Sequence, residues 1–169
     1  TGLDATENSL SGSTLSGTNT LTFTTANWNT AQTVTITGVD DSIVDGVITT
    51  TLTATANNAG GYAGTETSTV TVKNTDDDTN GISIAQTGTT DGSGNLLTTE
   101  AGSTSTFTVV LDAAPTADIT VSITGLDATE NSLSGSTLSG TNTLTFTTAN
   151  WNTAQTVTIT GVDDSIVDG

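Results

Sequence analysis

The chain has 169 residues, 18 of them acidic and one, Lys73, basic, for a formal net charge of -17. A single lysine cannot form the cationic patch that a phosphate backbone or an anionic bilayer requires, so neither nucleic acid nor membrane is expected as a partner. Histidine and cysteine are absent, which removes disulfides, His-based zinc sites and every Ser-His or Cys-His nucleophile, and no enzyme is expected.

Residues 1–46 return letter for letter at 124–169, a period of 123 residues. That is far longer than one layer of a solenoid and matches one self-standing domain, so the chain reads as part of a tandem array. In chain order, runs of alternating Thr and apolar residues predict strands at 20–25 (TLTFTT), 32–38 (QTVTITG), 48–56 (ITTTLTATA), 67–73 (TSTVTVK), 82–86 (ISIAQ), 105–111 (STFTVVL) and 117–123 (ADITVSI). No helical periodicity is present. Alternation puts Val34 and Ile36 on one face and the threonines between them on the other, as a half-buried strand requires. Leu21 with Phe23, Val70 with Val72, Phe107 with Val109 and Leu111, and Ile119 with Val121 and Ile123 complete the expected core. About seven strands per repeat, separated by Gly, Asn, Asp and Ser, predict an all-β, antiparallel, immunoglobulin-like sandwich.

Three acidic features sit at predicted strand ends: Val39 to Asp45 (repeated at 162–168), the run Asn74-Thr75-Asp76-Asp77-Asp78, and Thr99-Glu100-Ala101-Gly102. Adjacent carboxylates repel, and a cation with many hard oxygen ligands relieves that repulsion; Ca²⁺ accepts six to eight at flexible geometry. The plain alternative is solvated turn aspartates bonding to their own backbone. Trp28 and Trp151 offer either a sugar-stacking face or, as lone aromatics in each copy, packing at the sandwich edge; packing is the expectation. The Thr-x-Thr pattern could form an ice-binding ladder, but β-propensity accounts for it. Asp91-Gly92-Ser93-Gly94-Asn95 is expected to be a tight turn.

On these residues the chain resembles the Calx-β domain family as repeated in large bacterial surface proteins. The opening strands correspond to 99–123, the middle to 21–46 and the closing strand to 68–78. The resemblance implies a calcium site at one end of the sandwich, built from Glu100, from Asp40, Asp41 and Asp45 with their copies Asp163, Asp164 and Asp168, and from Asp76, Asp77 and Asp78. Two family positions lack their acid: Ile48 stands in one, and residues 11–20 supply no aspartate before the middle strand. Asp4 or Glu7 is available to compensate, and spacing does not choose between them.

The alignment implies that residues 1–79 are the later strands of one repeat domain and 80–169 the earlier strands of the next. Incomplete sandwiches leave open edges, so neighbouring copies of the repeat are the expected partners, by strand exchange. The function implied is a structural or adhesive spacer of a long extracellular bacterial protein, stiffened by calcium at domain ends and able to form a fibre by head-to-tail complementation. The alternative is a ligand-binding module recognising a glycan or a surface protein.

Overall fold

The computed structural model describes residues 2–166. Among them the regular elements are ten strands, every pairing is antiparallel, and there is no helix. The chain divides into two units, one running through Asp41 and resuming at Asp45–Asp77, the other comprising Ser42–Val44 and the chain from Asp78 onward.

The first unit holds β1 (Asn8–Ser11), β2 (Thr35–Gly38), β3 (Val47–Thr55) and β4 (Thr67–Thr75). β1 pairs with β2, Asn8 opposite Gly38 and Ser11 opposite Thr35. β3 and β4 form a nine-residue ladder from Val47 opposite Thr75 to Thr55 opposite Thr67, sustained by β-branched Thr, Val and Ile at most positions. The buried side chains of this unit are polar: Glu7, Asn8 and Thr50.

The second unit holds β5 (Ile82–Gln86), β6 (Thr104–Leu111), β7 (Ile119–Ser122), β8 (Asn131–Ser134), β9 (Thr143–Phe146) and β10 (Gln155–Gly161). One sheet has the order β5-β6-β10-β8, and β7 pairs with β9 in another. β6 alternates strictly between buried and less buried positions, so Phe107, Val109 and Leu111 face inward. They meet Val157 of β10 and, from the other sheet, Leu144 and Phe146 of β9. A core fed by two antiparallel sheets is the layering of a β-sandwich. Removing Val109, Leu144, Phe146 and Val157 completely from water contributes about 1.5–3 kcal/mol each.

The repeated 46 residues adopt two different states. The turns are the same: Asn19 and Asn142 have φ of 55° and 54°, and Gln32 and Gln155 both donate to the carbonyl ten residues earlier, Thr22 and Thr145. β8 pairs with β10 in the register of β1 with β2, Asn131 opposite Gly161 and Ser134 opposite Thr158. The strands differ in extent. β10 spans seven residues because β6 lies along its other side, and β9 exists because β7 pairs with it. In the first copy β2 has four residues, and 21–24 are not a strand. Phe23 is 52% exposed where Phe146 is fully buried.

These findings correct four sequence expectations. Residues 20–25 and 32–34 of the first copy are not strands, because no strand pairs with them. Phe23, Val70 and Ile119 are exposed rather than core, and Leu21, Val34, Ile36 and Val72 are only half-buried. β1 and β8 were not expected; their Asn-Ser-Leu-Ser sequence carries one apolar residue, too few for an alternating signal. The Asp91 segment is the expected tight turn, Gly94 N–H donating to Asp91 O at 3.1 Å.

Candidate metal centre

The first unit gathers carboxylates at one end of β1 and β2. Before β1, Asp4 organises a turn: its Oδ1 accepts from the Thr6 N–H at 3.1 Å and hydroxyl at 2.6 Å, and its carbonyl accepts from Asn8 N–H at 2.8 Å. These bonds, the Thr6 hydroxyl first, hold the Asp4 carboxyl below its usual pKa of 3.8. Asp4 is thereby committed to its own backbone, and the turn delivers Glu7 to the start of β1.

Glu7 is 8% exposed. Its carbonyl accepts from Val39 N–H at 2.8 Å, so the residue is tied to the segment leaving β2. Asn74 in β4 closes the arrangement, its Nδ2 donating to Glu7 O at 3.0 Å, Glu7 Oε2 at 3.2 Å and Val39 O at 3.3 Å. One amide thus cross-links β4, the turn before β1 and the loop after β2.

That loop carries Asp41 and Asp45. One carboxylate oxygen from each of Glu7, Asp41 and Asp45 lies within 4.8 Å of the others. The loop is braced by Asp76, whose Oδ2 accepts from Asp45 N–H at 3.0 Å and Gly46 N–H at 2.8 Å. Its own N–H donates to Gly46 O at 3.2 Å. Asp76 therefore positions the loop with one oxygen. Gly46 occupies φ of +81°, a left-handed conformation that glycine adopts without strain.

Of the residues singled out in sequence, Asp41 and Asp45 are brought together with Glu7, and Asp76 accepts from the Asp45 and Gly46 backbone. Asp40 and Asp77 are exposed and outside the cluster. Asp78 is half-buried in the second unit. Glu100 lines an open cleft of about 450 Å³ in that unit with Thr98, Thr99, Ala101, Glu130 and Asn131. Glu130 and Asn131 are the copies of Glu7 and Asn8, and Glu130 O accepts from Val162 N–H at 2.9 Å as Glu7 O does from Val39. Asp163 is exposed, Asp164 is half-buried and accepts from Ile166 N–H at 2.6 Å, and Asp168 lies outside the described residues.

Two residues central to the cluster carried little sequence signal. Glu7 was one of two carboxylates available to compensate; the hydrogen bonds that commit Asp4 to Thr6 decide between them. Asn74 stood beside the aspartate run but was not read as its cross-link.

Chemically, three carboxylates from two segments, one largely withdrawn from water, form an anionic cup of hard oxygens without nitrogen or sulfur donors. Such a donor set fits Ca²⁺ in preference to a transition metal. Asp91 contrasts with it: Ser93 N–H and Asn95 N–H donate to Oδ1, both at 2.8 Å, and Asn95 Nδ2 to Oδ2 at 2.9 Å. That carboxylate is already occupied by its own loop. Trp151 packs against the core of the second unit, whereas Trp28 is 70% exposed. No protein-family model, curated protein or solved structure matches this chain. No helix of the described residues is long and apolar enough to cross a membrane.

Proposed function

We propose that the chain is a non-enzymatic spacer of a long extracellular bacterial protein, built from immunoglobulin-like sandwich repeats of the Calx-β kind and stiffened by calcium. The observation that carries this reading is the convergence of Glu7, Asp41 and Asp45 within 4.8 Å on a loop held by Asp76 and Asn74. Calcium there ties the turn before β1 to the loop after β2, and through Asp76 to the end of β4. Segments otherwise joined by a few hydrogen bonds become one cross-linked end.

The second unit carries the copy of this arrangement, with one further carboxylate. Glu100 shares a cleft with Glu130, the copy of Glu7, and Asp164 and Asp168 are by sequence the copies of Asp41 and Asp45, so in a complete repeat Glu100 adds a ligand to that set. Serial copies of such domains give reach and stiffness, suited to adhesion, biofilm cohesion or a surface fibre joined by strand complementation.

The test is a thermal melt with and without chelator at fixed ionic strength. Calcium at a hundred times its Kd contributes about 2.7 kcal/mol, and each kcal/mol moves the Tm of a unit this size by roughly 4–8 °C. Chelation is expected to lower Tm by roughly 10–20 °C; an unchanged melt removes calcium from the reading. Electron microscopy of several repeats in series then checks stiffening, and a flexible string under both conditions removes that part.

A further inference from the structure

The chain has a single Asn-Gly step, Asn80-Gly81, and it lies between β4 and β5 outside any strand. Glycine alone has no Cβ, so the main-chain nitrogen after Asn80 is the least shielded of those that follow an asparagine in this sequence. Asn80 is exposed. Among the described residues neither its side chain nor the Gly81 N–H makes a hydrogen bond. Gly81 is fastened on its far side instead, its carbonyl accepting from Asp112 N–H at 3.1 Å. A Cβ on residue 81 would strike Asp112 Oδ2, so the packing that anchors the start of β5 also favours the glycine.

Two Asp-Gly steps among the described residues could close the same ring, and the fold engages both. Gly46 N–H, after Asp45, donates to Asp76 Oδ2 at 2.8 Å, which occupies the attacking nitrogen. The Asp91 carboxylate accepts from Ser93 N–H and Asn95 N–H at 2.8 Å and from Asn95 Nδ2 at 2.9 Å. Those bonds favour its ionised form, a poor electrophile. Asn80 has neither restraint.

We propose that Asn80 is a site of spontaneous, irreversible deamidation in the folded chain. The Gly81 nitrogen loses its proton to a base in solution and attacks Asn80 Cγ. The bond from Cγ to the side-chain nitrogen then breaks, ammonia leaves, and a five-membered succinimide remains. Water opens this ring at either carbonyl. Opening at the side-chain carbonyl gives aspartate, and opening at the main-chain carbonyl gives isoaspartate; in both, water is consumed, ammonia is released and nothing is oxidised or reduced. Each product places a further carboxylate close in sequence to Asp76, Asp77 and Asp78, and isoaspartate also lengthens the main chain. The stretch that absorbs the change, 76–81, holds no strand, and the ladder that starts at Ile82 opposite Leu111 is left in register. Modified chains therefore stay folded and accumulate with age. Neither a cation nor the spacer reading is required.

The test ages the full chain in warm, mildly alkaline buffer with chelator, beside a sample in guanidinium. Samples are denatured and cut with trypsin, which cleaves after Lys73, the sole basic residue, and yields fragments 1–73 and 74–169. Fragment 74–169 is expected to gain the mass difference between O and NH, at a rate that rises with hydroxide and is at least about tenfold that of fragment 1–73, whose asparagines all precede residues with a Cβ. The gain is expected to vanish in Asn80→Gln, where closure would need a larger ring. Tryptophan emission of the aged chain is expected to report the urea midpoint of fresh protein. A gain that persists in Asn80→Gln, or equal gains in the two fragments, overturns the site. A rate at least about tenfold slower in buffer than in guanidinium shows that the fold shields Asn80 and overturns deamidation in the folded state, as does a lost unfolding transition in the aged chain.

Discussion

Phe23 and Phe146 form an internal experiment on what a covering strand contributes. They share identical neighbours in sequence, so the unfolded-state effect of replacing either with alanine is nearly the same. Phe146 is fully buried between two sheets, and Phe146→Ala loses transfer energy and leaves a cavity, about 3–5 kcal/mol in all. Phe23 is 52% exposed; about half its surface is at stake, no closed cavity forms, and Phe23→Ala is expected to cost no more than about 1–2 kcal/mol. The assay is urea unfolding by tryptophan emission, using Trp28→Phe to report the second unit through Trp151 and Trp151→Phe to report the first. With a slope of about 1 kcal/mol/M for units of this size, Phe146→Ala moves the second-unit midpoint down by roughly 3–5 M, or prevents its folding, and Phe23→Ala moves the first by about 1–2 M at most. Equal shifts would refute the claim that partner strands, and not local sequence, make the core.

Glu7→Gln keeps the size of a largely buried side chain but removes a ligand, and is expected to weaken calcium binding at least tenfold by isothermal calorimetry while Asp40→Asn changes it little. The repeated glycine before Val39 and Val162 gives a second matched pair. A Cβ at Gly161 would strike the Thr99 carbonyl, whereas at Gly38 it would meet only the end of the Asn74 side chain. Gly161→Ala is therefore expected to destabilise its unit by about 1–3 kcal/mol, and Gly38→Ala to spare the fold but reduce calcium affinity by displacing Asn74, as read by urea unfolding and calorimetry. Hydrogen bonds lower the carboxyl pKa of Asp4, of Asp91 through Asn95 first, of Asp127 through Thr129 first, and of Glu66 through the Ala63 N–H first. Because the unfolded chain then binds protons more readily, their contribution is complete above the ordinary values of 3.8 and 4.5 and is lost as pH falls through the lowered folded values. Urea midpoints from pH 5 to 3 are expected to fall, less steeply in Asp91→Asn and Asp127→Asn.

The alternation in ISIAQ and STFTVVL was sufficient to place β5 at Ile82–Gln86 and β6 at Thr104–Leu111 to within a residue, because apolar residues there recur with the period of the pleat. The same signal at TLTFTT and QTVTITG is correct for 143–146 and 155–161 yet not for 20–25 and 32–34. Nothing within a window of sequence can distinguish identical windows; what differs is whether β6 and β7 are alongside. The acidic loop was visible because Asp41 and Asp45 are neighbours in sequence. Glu7 could be named only as an alternative to Asp4, because it reaches them through the pairing of β1 with β2, a contact between segments far apart in the chain.

The two copies also separate what the sequence carries alone from what it borrows. The Asp4 turn and its copy at Asp127 are both present, with Thr hydroxyl bonds of 2.6 Å in each. So are the Thr24–Asn27 and Thr147–Asn150 turns and the common register of β1 with β2 and β8 with β10. The turn bonds are short-range, and with the β1–β2 pairing they are present in residues 1–46 without a covering strand. Strand length and apolar burial respond to that partner. The acidic loop after β2 depends instead on the β4 end, through Asn74 and Asp76. Apolar burial and the acidic loop therefore depend on different neighbours, and each can be altered by mutation while the other is measured.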